Sequence, residues 1–146
     1  MRLTPLLLVL VIAPLACSDI TGVDDDLRVV TDRASYVTNG DSVATVRVRL
    51  ENTGTDPLGV PRCGMVTAYL DKWTASDWVQ VGRYGEICVA IYDMSPVRLG
   101  PGDAHEAPPL AIGVGRYRIR VPFGRAGGDV RAHTARSNVF TVEPSP

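Results

Sequence analysis

The chain has 146 residues, 15 basic and 16 acidic, for a formal net charge of −1 at neutral pH. A balance so close to zero gives no strong electrostatic case for nucleic acid or for acidic lipid as a partner. With the first 16 residues set aside, about 130 remain, enough for one domain with a single core. The basic residues are nearly all arginine, Lys72 being the one lysine, and valine, glycine and proline are plentiful. With no long amphipathic helical stretch among them, this is the composition of a β-domain.

In chain order, the first element is an apolar run from Leu3 to Ala16, broken by Pro5 and Pro14. Spanning a bilayer takes about 20 apolar residues, so the run is too short to cross. Arg2 supplies a positive start, Leu6 to Ala13 an apolar centre, and Ala16 a small residue before a cut, which is the pattern of an export signal. The cysteine that follows makes "PLAC" (Pro14–Cys17) resemble the lipobox of bacterial lipoproteins. That resemblance implies that Cys17 becomes the acylated first residue of the mature chain. Pro14 and Leu15 depart from the usual lipobox residues, and the alternative is an ordinary secretory signal. Residues 17–26 then form a polar, acidic tether. Its Asp24, Asp25 and Asp26 are adjacent and point apart, so they lack the spaced oxygens that a hard cation needs. No metal is expected there.

An exported chain with three cysteines has one left over. Lipidation of Cys17 resolves this and leaves Cys63 and Cys88 as a pair in an oxidising compartment. Closing a loop of that length is worth about 3 kcal/mol in the chain-entropy model. The only histidines, His105 and His133, are isolated in sequence, so a metal site built on these cysteines is disfavoured.

Strand signals recur from Leu27 onward. "LRVVTD" reads as a first strand, and Asn39-Gly40-Asp41 as a turn. In "SVATVRVRLEN" residues Val46, Val48 and Leu50 face one way and Arg47 and Arg49 the other, the period of a half-buried strand. Asn52 to Gly64 is rich in Gly and Pro and reads as a loop. "MVTAYLDKW" and "DWVQVGR" read as a hairpin across "TASD", and "EICVAIYDM" as a further strand. After the "LGPGD" turn, "AHEAPPLAI" is a weak strand whose Pro108-Pro109 fits only an edge. "GRYRIRVPF" alternates Tyr117, Ile119 and Val121 against Arg116, Arg118 and Arg120, and "SNVFTVEP" closes the domain. The expectation is an all-β, two-sheet antiparallel sandwich of about seven to nine strands over residues 27–143, with 144–146 as a tail.

An early "SY…G" turn (Ser35, Tyr36, Gly40), "ENTG" (51–54), "WVQVG" (78–82), "LGPGD" (99–103), "GRYRIRV" (115–121) and "SNVFTV" (137–142) follow one another in this order. Together they resemble bacterial immunoglobulin-like domains of exported proteins, including those of the BsuPI proteinase-inhibitor type. The resemblance implies a corner tyrosine before a long strand, and Tyr117 takes that position. The sequence departs from the antibody pattern in that Cys63 and Cys88 do not sit in the second and sixth strands, so their bridge is expected to tie the loop after "ENTG" to the middle strands.

No nucleophile elbow, phosphate loop or paired-carboxylate signature is present, so no catalytic residue and no cofactor are expected. The two arginine rows, 47/49 and 116/118/120, are expected on different sheets, as solvated faces paired with residues such as Asp71 or Glu51. Their functional alternative is a surface for a polyanionic glycan. Of Trp73 and Trp78, one is expected in the core. The functional expectation is a non-enzymatic binding or assembly module, held at the cell envelope by its lipid and facing an envelope protein or a polyanionic glycan. The alternative is a proteinase-inhibitor-like domain acting through an exposed loop such as Asn52–Gly64.

Overall fold

The structure is a computed structural model that describes residues 26–89 and 93–146. Cys17, the signal run and most of the acidic tether therefore lie outside the described residues. Among the described residues there are strands and turns but no helix.

The clearest sequence pattern gives the clearest strand. β3 (Val43–Asn52) alternates strictly, with Ala44, Val46, Val48 and Leu50 buried and Arg47 and Arg49 exposed. It sits at the centre of a three-stranded antiparallel sheet, between β1 (Leu27–Thr31) and β10 (Ala104–Gly113). The facing sheet is built on β11 (Gly115–Arg125), which buries Tyr117, Ile119, Val121 and Phe123. Along one side β11 pairs with β13 (Phe140–Glu143) and then β12 (His133–Arg136). Along its other side it pairs with β7 (Ala68–Thr74) and then β4 (Leu58–Val60). The hairpin partner β8 (Asp77–Tyr84) extends the sheet past β7. β9 (Val97–Leu99) extends it past β4, and β2 (Ser35–Val37) joins β13 in parallel. A short ladder, β5 (Arg62–Cys63) with β6 (Met65–Val66), stands apart from both sheets. This is an all-β sandwich of immunoglobulin-like type, its core drawn from the inner faces of both sheets.

Three local expectations change. The stretch Asn52–Gly64 is a largely exposed loop only over residues 53–57: beyond it the chain contributes β4 and β5, and Leu58, Gly59, Val60, Pro61 and Cys63 are buried. Its Gly and Pro residues keep these strands to two or three residues, and the described residues hold 13 separate strands. The expected strand at Glu86–Met94 is absent from its described part, where Ile87, Val89 and Met94 are exposed. β-branched composition alone does not make a strand where no neighbour is available to pair.

The motif residues act as pins between elements. Asn52 is fully buried: its amide donates to the Asp56 and Leu99 carbonyls at 2.8 and 2.9 Å and accepts from Gly54 N at 3.0 Å. Its backbone also bonds to Gly102 and Asp103 of the "LGPGD" turn. Ser137 Oγ accepts from Ile119 N at 2.9 Å, and Asn138 holds Thr31 of β1 through two hydrogen bonds. The Tyr117 hydroxyl donates to the Val114 carbonyl at 3.1 Å, across the turn between β10 and β11. Cys63 and Cys88 are disulfide-bonded with their Cα atoms 5.3 Å apart, tying β5 to the segment that follows β8.

Candidate functional site

The outer face of the large sheet is divided by a pair of glycines. Gly59 and Gly124 oppose each other in the β4–β11 ladder. A Cβ on Gly124 would meet the Asp129 carbonyl at 1.9 Å, and one on Gly59 would meet the Val130 side chain at 2.7 Å. The segment after β11 therefore lies directly on the sheet at this end, which only residues without a side chain permit. The other end of the same face is open.

On that open end the side chains of β11, β7 and β8 form one layered arrangement. Strand period places Arg116, Arg118 and Arg120 outward on β11, and antiparallel register sets Asp71 beside Arg118 and Tyr69 beside Arg120. Trp73 and Trp78 oppose each other on β7 and β8, their rings edge to face at 5.3 Å. Arg118 lies 4.5 Å above the Trp78 ring, Arg120 5.4 Å above Tyr69, and Arg116 5.9 Å above Trp73. Asp71 sits beneath them with only 4% of its side chain exposed. It accepts from Arg118 Nε at 3.1 Å and from Arg120 Nε and an Arg120 terminal nitrogen at 2.8 and 2.9 Å. Gln80 accepts a further bond from Arg120 at 2.9 Å.

Two expectations change here. Neither tryptophan enters the core; both are half-buried on the outer face, with a guanidinium over each ring. Likewise Arg118 and Arg120 are not freely solvated, because aromatic contact and Asp71 hold them against the sheet. Arginine retains its charge while its flat face stacks on a ring, so the pairing costs little desolvation. The Asp71 contact follows the cross-strand pairing that the sequence suggested. The aromatic ladder was missed, although tyrosine, aspartate and tryptophan at alternating positions 69, 71 and 73 were its visible signal.

The opposite face, on the small sheet, is neutralised. Arg28 faces Glu51 and Arg49 faces Glu106, each at 3.9 Å. Around Arg47, Arg49, Val30 and Pro109 lies a shallow open hollow, which the Pro108-Pro109 irregularity in β10 helps to shape. Asp32 on its rim is occupied: its carboxylate accepts from the Tyr36 hydroxyl at 2.5 Å and from Arg47 N at 3.2 Å. Burial works to raise the Asp32 carboxyl, but these hydrogen bonds and Arg33 outweigh it and hold the group below its ordinary range. Burial and the Asp32 hydrogen bond push Tyr36 up to about 12.

His105 and His133 lie in different sheets, and His133 packs its ring near Phe123. Among the described residues no three of His, Cys, Asp and Glu are grouped to hold a metal ion.

Comparison with known proteins places the chain in no family: no family model matches it, and no curated protein does. Among solved structures it is similar to the ASH / PapD-like domain of human CEP192 (PapD-like domain 7). That likeness has 15% identity and a TM-score of 0.42, over 99% of this chain and 96% of that one.

Proposed function

We propose that this protein is a non-enzymatic binding or assembly module, exported and lipid-anchored through Cys17 at the cell envelope. Its working surface is the open end of the large sheet. The observation that carries this reading is the layered Arg–aromatic face, a flat surface whose polar groups are fixed in place before any partner arrives. Rigid sandwiches commonly present recognition groups in this way while the core supplies stability. Export and anchoring rest on the signal run and on the Cys17 lipobox resemblance. The resemblance of the sequence motifs to bacterial immunoglobulin-like domains fits the same reading. The inhibitor-like alternative keeps only the short exposed loop at residues 53–57, because Leu58–Val60 and Arg62–Cys63 of its stretch are paired strands.

The test has two parts. Mass spectrometry of the mature N-terminus is expected to find an acylated peptide beginning at Cys17, and a mature chain starting beyond Cys17 overturns the anchor. Capture from envelope fractions is expected to retain a component that Arg116→Gln/Arg118→Gln protein does not retain. Identical capture by both proteins overturns the assignment of the face.

A further inference from the structure

The two outer faces both carry arginines but differ in charge. On the small sheet Arg28, Arg47 and Arg49 stand against Asp32, Glu51 and Glu106, three charges of each sign. On the large sheet Arg116, Arg118 and Arg120 are joined by Arg136, which lies directly opposite Arg120 in the β11–β12 ladder. Arg83, opposite Tyr69 on β8, adds a fifth cation. The carboxylates on that side are Asp71, buried beneath two of the arginines, Glu86, which pairs with Arg83 and accepts from the Tyr69 hydroxyl, and Glu143 at the far end of β13. Five cations thus face three anions. Arg116 and Arg136 are exposed and have no carboxylate partner among the described residues.

We infer that this face binds a linear polyanionic glycan, its carboxylate or sulfate groups laid along β11. The inference rests on the reading of this face as the working surface. Successive outward arginines on a strand are about 6.7 Å apart, and stacking on Trp73, Trp78 and Tyr69 keeps them from swinging away from that row. Anions must therefore come to a fixed line of donors. A chain carrying a charge at each repeat can do so while lying flat on the sheet. Donors remain free for it: all of the Arg116 guanidinium, and both terminal nitrogens of Arg118, whose Nε alone is engaged by Asp71.

The experiment uses the full chain in neutral detergent, with heparin and polygalacturonate as sulfated and carboxylated probes and dextran as the uncharged control. Binding is read from the fluorescence of Trp73 and Trp78, the only two tryptophans. At low salt, one or both polyanions are expected to bind and dextran is not. Affinity should fall steeply with added salt, as counterion release requires. Arg116→Gln/Arg136→Gln is expected to weaken binding about tenfold or more and to reduce the salt slope by about two. Arg47→Gln on the neutralised face should stay within about twofold of wild type, and Arg116→Lys/Arg136→Lys should restore most of the affinity. Equal weakening by the Arg47 and Arg116/Arg136 variants overturns the inference, as does no binding of either polyanion at low salt. If the polyanions fail while envelope capture still depends on Arg116 and Arg118, the glycan assignment falls and the binding-module reading stands.

Discussion

Replacing Asp71 by asparagine keeps the side-chain shape and removes one charge, and its consequence can be worked from the contacts. The carboxylate accepts three hydrogen bonds from two guanidiniums whose side chains are only 24% and 27% exposed. Asparagine offers one acceptor and turns an N–H₂ group toward an arginine donor. Each hydrogen bond to a charged group contributes about 1.5–3 kcal/mol, and removing one partner of a fully buried pair costs about 3–5 kcal/mol. Because both arginines still reach water, the expected loss is about 2–3 kcal/mol. For a domain of this size that corresponds to a fall in Tm of about 6–15 °C. Urea denaturation followed by tryptophan fluorescence is the natural assay, since both tryptophans sit in the same ladder. A double-mutant cycle with Arg118→Gln should give a coupling of about 1 kcal/mol or more. A loss below about 0.5 kcal/mol, or additive single variants, would refute the view that Asp71 locks β7 to β11.

Other expectations follow from other contacts. Gly124→Ala drives a methyl group into the Asp129 carbonyl and should cost about 2–3 kcal/mol, whereas Gly40→Ala, with nothing near its Cβ, should be close to neutral in the same unfolding assay. Asn52→Ala removes three hydrogen bonds of a buried side chain and should lower stability by about 2–3 kcal/mol; Asn52→Asp, which cannot donate to two carbonyls, should be at least as damaging. Cys63→Ala/Cys88→Ala opens a loop with a sequence separation of 25 and should destabilise the domain by about 3 kcal/mol, measurable by chemical denaturation under oxidising conditions. Because the Tyr36 pKa is raised to about 12, stability should be complete below pH 10 and decline as pH rises from 10 to 12, where the unfolded state ionises first. Tyr36→Phe should make that decline shallower in an alkaline unfolding series, the remainder coming from Tyr84, which burial also raises. The lowered Asp32 carboxyl acts in the other direction, its stabilisation being present above about pH 4 and lost as pH falls through its folded-state value.

The two strands at the centres of the sheets, β3 and β11, are legible because each buries one face for most of its length, so burial is written as strict alternation. The edge character of β10 is equally visible in Pro108-Pro109. What defeats the reading is short pairing. β4, β9 and β12 span three or four residues, and their place depends on partners distant in sequence, such as Leu58 beside Leu99 and Arg125. Glycine at 59 and 124 looks like a turn signal, but both lie inside strands and serve the close approach of a covering segment. At the site, pairing of the arginine row with an acid such as Asp71 is expected from the sequence, and the register of β7 on β11 supplies it. The position of the tryptophans does not, since an indole can bury its surface against guanidinium as well as against aliphatic side chains.

The closure of the sheet edges bears on where a partner can dock. A sandwich exposes unpaired backbone along its outermost strands, and such edges readily recruit a strand from another chain. Here each edge is interrupted. β10 carries Pro108-Pro109 and a register shift, so its donors fail in the middle of the strand. β8 carries an extra residue, Val81, between the pairs Leu70–Gly82 and Asp71–Gln80, and such a bulge twists the edge and breaks the spacing a new strand requires. β2 and β9 are three residues long, and β1 is bridged to Ser137. Strand addition is thus disfavoured at the edges of both sheets, which leaves faces and loops. Of the two outer faces, one has its charges matched within itself, and the other is partly covered at its glycine end and positively charged at its open end. Strand pairing, glycine placement and charge are thus all in keeping with the proposed use of the surface of Arg116, Arg118 and Arg120.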